Sequence, residues 1–133
     1  MSTRPLRAPD LLLVAAGGAV GAVLRFAVDS GAPGALFPWA TMAINVLGAF
    51  ALGALPALAV VRRSRQVTLA LGPGVLGGFT TVSAWAGQTR ALAADGHAGL
   101  AGLYLATTIA AGLTAAALGQ RIARRPEPDG ALG

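Results

Sequence analysis

Four apolar stretches dominate the chain, and polar residues separate them. The stretches cover about residues 11–28, 37–61, 67–86 and 98–119. A helix needs roughly 20 apolar residues to cross a bilayer, so each stretch is long enough to span. The pattern predicts an all-α membrane domain at 11–120 with four transmembrane helices, between a polar N-terminus at 1–10 and a polar tail at 121–133.

The third stretch has the most informative local pattern. Residues 66–89 carry no charge, yet their centre holds two paired glycines and two paired threonines, which suit an uninterrupted helix poorly. Non-helical backbone survives at membrane depth only where protein or a water-filled cavity surrounds it. We therefore predict that the third helix is broken between Gly77 and Thr80, as in membrane proteins with an ion or solute site.

Such a break offers two kinds of ligand. Its freed carbonyls suit a hard cation such as Na⁺, and the N–H end of the following half-helix favours an anion. The side chains of Thr81, Ser83 and Trp85 add hydroxyls and an indole N–H nearby. A glycine-rich packing contact without any ion explains the same residues equally well.

Composition narrows the class of function. The chain has 133 residues, is 55% hydrophobic and 11% charged, and has no cysteine, which excludes disulfides and thiolate metal sites. No Asp, Glu, Lys or His lies near the middle of any apolar stretch, and His97 is expected in a solvated loop. An enzyme or a proton-coupled exporter is therefore not expected. Nucleic-acid binding is not expected either, because the basic residues flank apolar stretches.

The ten basic residues are all arginines, and they are distributed unevenly. Four spans place both termini on the same side as the loop between the second and third helices. That side carries eight of the arginines: Arg4, Arg7, Arg62, Arg63, Arg65, Arg121, Arg124 and Arg125. The other side has Arg90, with Arg25 near the end of the first helix. The positive-inside rule then predicts that both termini are cytoplasmic.

Polar residues on the helices allow two interpretations each. Asn45 is costly in lipid unless its amide is paired, so it either joins helices or lines a polar pathway. Tyr104 and Thr108 share a broad hydroxyl face of the fourth helix, which is either a polar track or a set of backbone-bonded threonines. Arg25 shares a helix face with two glycines and either lies in an anion-attracting vestibule, or snorkels to the headgroups or caps helix carbonyls.

Three motifs, in this order, resemble those of the small bacterial fluoride channels (Fluc, also called CrcB). They are GGAVGAVLRF at 17–26, TMAINVLGAF at 41–50 and GVLGGFTTVS at 74–83. The resemblance covers nearly all of the chain. It implies a four-helix subunit in the bacterial plasma membrane that works as an antiparallel dimer with two pores. Its implied function is passive export of fluoride, which lowers the cytoplasmic concentration of the ion.

The resemblance also implies roles for individual residues. A structural Na⁺, which is not transported, would be held at the dimer centre by the carbonyls of Gly77 and Thr80. Asn45 matches a pore-lining asparagine, and Tyr104 and Thr108 match polar residues of the fourth helix. The expected pore lining also includes Thr81, Ser83 and Trp85.

Two features depart from the family pattern. Family members usually carry two phenylalanines after the paired threonines, and here those positions are Val82 and Trp85. A chain that pairs with itself in antiparallel fashion should have nearly balanced flanking charge, but the arginines here favour one side. We therefore hypothesise a heterodimer with an oppositely oriented paralogue. The alternatives are a non-conducting partner subunit and a small four-helix multidrug exporter.

Overall fold

The chain folds into helices that are long enough to form four membrane spans. A computed structural model describes residues 5–124, and within that range it contains no strand. The candidate spans are Ala8–Gly31, Trp39–Ala57, Arg65–Ala94 and Ala98–Ala123. The predicted all-α class with four transmembrane helices is thus confirmed. Residues 1–4 and 125–133, with most of the predicted polar tail, lie outside the described range.

The first two spans differ from their predicted bounds at both ends. Helix α1 (Ala8–Gly31) begins before residue 11 because Pro9 suits a first turn and Asp10 accepts the backbone N–H of Arg7 at 3.0 Å. Helix α2 (Trp39–Ala54) does not continue to residue 61. A 3₁₀ turn (Leu55–Ala57) that contains Pro56 follows it, and α3 (Ala59–Arg63) is a short separate helix.

The third segment consists of several helical pieces. It comprises α4 (Arg65–Leu69), a π-helical stretch (Ala70–Leu76), α5 (Gly77–Phe79) and α6 (Val82–Ala94). Pro73 lies inside the π-helical stretch, where its missing N–H removes one backbone donor. The segment is longer than the predicted 67–86, since it begins at Arg65 and its last helix ends at Ala94, shortly before Gly96, whose φ is +84°.

The predicted location of the break needs a correction. Gly77 to Phe79 have helical backbone, and only Thr80 of the predicted 77–80 region is extended, with φ −76° and ψ 156°. Thr81 is extended as well, with φ −149° and ψ 112°, and its hydroxyl accepts the N–H of Ala84 to cap α6. The two threonines carry the non-helical backbone because both can be held from outside the helix.

Helix α7 (Ala98–Ala123) completes the bundle and packs mainly on α2. It extends beyond the predicted residue 119, since the next helix breaker in the sequence is Pro126. Tyr104 of α7 and Ile44 of α2 are the largest fully buried side chains. At the other end of this contact, a Cβ on Gly53 would overlap the carbonyl of Ala116, so the two backbones approach closely.

Glycines also set the contact between α1 and the third segment. A Cβ added to Gly17 would lie 3.0 Å from the Cα of Gly74, and one added to Gly21 would lie 2.7 Å from the backbone nitrogen of Phe79. A Cβ on Gly78 would overlap the carbonyl of Gly18. The glycines of the 17–21 and 74–78 motifs therefore serve close helix packing, which leaves the extended backbone to the threonines.

Candidate functional site

The extended pair Thr80–Thr81 is tied to α2 by one side chain. The backbone N–H of Thr81 donates to Asn45 Oδ1 at 2.8 Å, and Asn45 Nδ2 donates to the carbonyl of Thr81 at 3.0 Å. Asn45 thus satisfies both backbone polar groups of Thr81, which is only 6% exposed. The close approach is possible because the next turn of α2 carries Gly48, where a Cβ would overlap Thr80 Cγ2.

The backbone before Thr81 has carbonyls without helical donors. In a continuous helix the Thr81 N–H would donate to the carbonyl of Gly77, four residues earlier. Because it donates to Asn45 instead, the Gly77 carbonyl has no such partner in the described part of the chain. Carbonyl oxygens are suitable ligands for a hard cation, so Gly77 fits the ligand role that the resemblance implies.

Arg25 lies beside the second of the two predicted ligands. Its Nη1 lies 3.5 Å from the carbonyl oxygen of Thr80, a long hydrogen bond from α1 to the end of α5. A cation bound to Thr80 would share that carbonyl with the guanidinium. Of the interpretations considered for Arg25, this placement fits the capping of a neighbouring helix carbonyl.

A cavity of about 710 Å³ lies beside the break, between α2, the third segment and α7. Six residues singled out from the sequence line it: Asn45, Gly77, Thr80, Val82, Trp85 and Thr108. Most of its wall is apolar, from residues such as Leu52, Leu76 and Leu113. The third segment contributes residues on both sides of the break, so the interruption brings backbone and side-chain polar groups to one cavity.

Two buried polar atoms on this wall have no hydrogen-bond partner within residues 5–124. They are the indole Nε1 of Trp85 and the hydroxyl Oγ1 of Thr108. Buried donors normally find an acceptor, because leaving one unpaired is unfavourable. An indole N–H can only donate, and a hydroxyl can donate or accept. Two residues of the wall therefore each hold a buried hydrogen-bonding group that no described protein atom uses.

Three other predicted site residues lie away from the cavity wall. Thr81 is buried behind it, and Ser83 is exposed, with its hydroxyl 3.3 Å from that of Thr81. Tyr104 is fully buried, and its hydroxyl donates to Gln88 Oε1 at 2.8 Å. Gln88 Nε2 donates in turn to Thr41 Oγ1 at 2.9 Å, so the chain of hydrogen bonds joins α7, α6 and α2.

Gln88 is the polar residue that the sequence reasoning missed. It lies seven residues after Thr81, two helical turns along the same face, and it is an amide within an uncharged, mostly apolar stretch. Those two properties are the same ones that singled out Asn45. Phe37 packs edge-on against Tyr104, with ring centroids 5.3 Å apart, and closes this end of the core.

Comparison with known proteins identifies the family of this chain. The model of the family described as "CrcB-like protein, Camphor Resistance (CrcB)" matches residues 12–120. The chain belongs to the CrcB family. Within it, a CrcB relative from Novosphingobium aromaticivorans named "Fluoride-specific ion channel FluC" is 47% identical over 117 residues, which cover 84% of this chain and 93% of the relative.

Two further CrcB relatives carry the same name. One from Thermus thermophilus is 44% identical over 115 residues, with 84% of this chain and 92% of the relative covered. One from Roseiflexus sp. is 38% identical over 120 residues, with 86% and 97% covered. The suspected family is confirmed, and with four apolar helices this CrcB chain is a multi-pass membrane protein.

Proposed function

We propose that this chain is a subunit of a fluoride channel, which passively conducts fluoride out of the cell and so lowers its cytoplasmic concentration. The observation that carries the proposal is that two residues lining one membrane cavity, Trp85 and Thr108, each hold a buried hydrogen-bonding group, Nε1 and Oγ1, that has no partner within residues 5–124. A small anion must exchange its hydration shell for donors of this kind in order to cross a membrane. The names of the relatives point to the same ion.

A flux assay on the purified protein tests this proposal. The protein is reconstituted into liposomes, and fluoride efflux is followed with a fluoride electrode, with chloride efflux measured in parallel. We expect fluoride efflux from the wild type and a clear decrease for Thr108→Val, which removes one wall donor. The matched control is Thr114→Val on the same helix, because that hydroxyl is exposed and donates to the carbonyl of Ala110 at 2.8 Å. Equal loss in both variants would contradict a role for the wall donor.

The proposal includes a structural sodium ion at the break, held by the carbonyls of Gly77 and Thr80. The diverted N–H of Thr81 supports the Gly77 ligand, since it removes the helical donor of that carbonyl. Within residues 5–124, no group of three His, Asp or Glu side chains lies together. Sodium would stabilise the break and would not itself cross.

The proposal also includes an antiparallel dimer with two pores. The cavity wall on one chain supports it, because Val82 lines this cavity and yet is 73% exposed, as expected if a second subunit covers that side. Val82 and Trp85 stand where phenylalanines are usual in the family, and a valine offers no aromatic edge. A partner that supplies this edge would complete the path.

The second candidate is therefore an obligate heterodimer with an oppositely oriented paralogue. Eight arginines on one side against two on the other favour it, because strong bias gives a single orientation with both termini in the cytoplasm. The same efflux assay separates the candidates. Fluoride conduction by the pure chain would contradict the heterodimer, and conduction only after addition of the paralogue would contradict self-pairing.

A further inference from the structure

The amide of Asn45 does more than border the cavity. It pairs with the backbone of Thr81 through both of its polar atoms, at 2.8 Å and 3.0 Å, in the manner of a neighbouring strand. One hydrogen on Nδ2 is left over after the bond to the Thr81 carbonyl. The Asn45 side chain therefore uses its oxygen and one N–H hydrogen to hold the backbone of Thr81. At most one N–H hydrogen is left for the cavity.

We propose that Asn45 is a positioning residue for the cation site: it holds Thr81 extended and so keeps the Gly77 carbonyl free to ligate sodium. This inference rests on the proposed function and deepens it. The Thr81 N–H has to find an acceptor because Thr81 is buried. In this structure the acceptor is Asn45 Oδ1, and in a continuous helix it would be the carbonyl of Gly77, four residues earlier.

Removal of the Asn45 amide would change which acceptor the Thr81 N–H uses. Without Asn45 Oδ1, donation to Gly77 satisfies the Thr81 N–H and closes one more turn of helix, as in any continuous helix. The Gly77 carbonyl would then no longer be a free ligand. The neighbouring capping bond from Ala84 N–H to Thr81 Oγ1, at 3.1 Å, would be lost when Thr81 becomes helical. Asn45 thus links the cavity wall to the cation site through one peptide unit.

Two measurements on the purified full-length protein test the proposal. The ¹³Cα and ¹³Cβ chemical shifts of Thr81 report whether its backbone is extended or helical. The sodium dependence of the thermal unfolding midpoint, at constant ionic strength with N-methylglucamine as the replacement cation, gives the apparent sodium affinity. Both are measured for Asn45→Ala and for Thr108→Val, which lies on the same cavity wall and whose hydroxyl makes no hydrogen bond to the break within residues 5–124.

We expect Asn45→Ala to move the Thr81 shifts to helical values and to weaken sodium binding at least about tenfold, as loss of a group that orients a metal ligand does. Thr108→Val should change neither quantity. Sodium affinity that is unchanged in Asn45→Ala would overturn the proposal, whatever happens to fluoride flux. Weakened binding with Thr81 still extended would overturn it too, because Asn45 would then act by another route.

Asn45→Asp keeps the test decisive if the alanine variant does not fold. The carboxylate still accepts the Thr81 N–H, although its second oxygen replaces the donor to the Thr81 carbonyl, so Thr81 should stay extended and sodium should still bind. A loss of sodium binding in this variant would count against the proposal. If sodium does not stabilise even the wild type, the sodium part of the proposed function fails with this inference, and fluoride flux remains to be judged separately.

Discussion

Polar residues on the cavity wall differ in how much hydrogen-bonding capacity they have left. Asn45 has committed one donor and its acceptor to the backbone of Thr81, whereas Trp85 Nε1 and Thr108 Oγ1 are unpaired among the described residues. An anion that loses water needs unused donors. At the scale of single residues, Trp85 and Thr108 are therefore the stronger candidates for direct contact with the ion.

The spare donor of Trp85 leads to a prediction. Trp85→Phe keeps an aromatic ring and removes the unpaired N–H. Fluoride efflux should decrease about tenfold if the indole donates to the ion, since hydrogen bonds to charged groups are stronger than neutral ones. Thermal stability should not decrease, because the lost donor has no partner within residues 5–124.

Trp39→Phe is the matched control for that variant. Trp39 is 64% exposed at the start of α2 and does not line the cavity. For both variants, fluoride efflux is measured by electrode and thermal stability by unfolding in detergent, on the same preparations. A Trp85→Phe protein with wild-type efflux would show that the ring, and not the N–H, is the part that matters.

The sequence singled out six residues for the pore lining, and three of them, Asn45, Trp85 and Thr108, line the cavity, but it did not predict how they are used. Spacing along a helix assigns Asn45 and Thr108 to inward faces. It does not reveal side-chain conformation, so the pairing of Asn45 with Thr81 could not be predicted. The break was expected at the glycines for a similar reason, since glycine permits extended backbone. The extended backbone lies at the two threonines instead, because α1 requires the glycines for close approach.

At the scale of elements, the contact between α1 and the third segment depends on the absence of side chains. Gly21→Ala should destabilise the protein by about 1–3 kcal/mol, as overpacking of a close contact does. A Cβ there would overlap the carbonyl of Val75, which is backbone and cannot rotate away. The matched control is Gly99→Ala on α7, where nothing lies within 4 Å. The two variants are compared by thermal unfolding. Equal unfolding midpoints would show that the contact tolerates a methyl group.

The hydrogen-bonded chain of Tyr104, Gln88 and Thr41 joins three helices, so it can be tested at the same scale. Tyr104→Phe leaves Gln88 Oε1 without its donor and should lower stability by about 1–3 kcal/mol. Thr107 provides the control, because its hydroxyl donates to the carbonyl of Leu103 on its own helix, at 2.7 Å. Thr107→Val should therefore have a much smaller effect. A Tyr104→Phe midpoint equal to that of the wild type would mean that the buried amide finds another partner.

At the scale of the whole molecule, polar contacts define the two ends of the bundle. Arg65 Nη1 donates to Asp10 Oδ2 at 2.9 Å, which places the start of α1 beside the start of the third segment. At the opposite end, Asp29, Gly34 and Asp95 line one pocket, which brings the loop after α1 to the end of α6. The arginine-rich end and the acidic end therefore belong to opposite ends of the same helices, as the four-span topology requires.

This arrangement allows a labelling test of orientation. The chain has no cysteine, so single-cysteine variants give no background. Gly34→Cys lies at the acidic end in open surroundings, and Ala123→Cys ends α7 at the other end, about 39 Å along a 26-residue helix.

If the arginine bias fixes one orientation, a membrane-impermeant maleimide should label only Gly34→Cys on intact cells, and both variants after lysis. Labelling of about half of each variant on intact cells would instead demonstrate dual insertion. The chain could then pair with itself in antiparallel fashion, and no oppositely oriented paralogue would be needed.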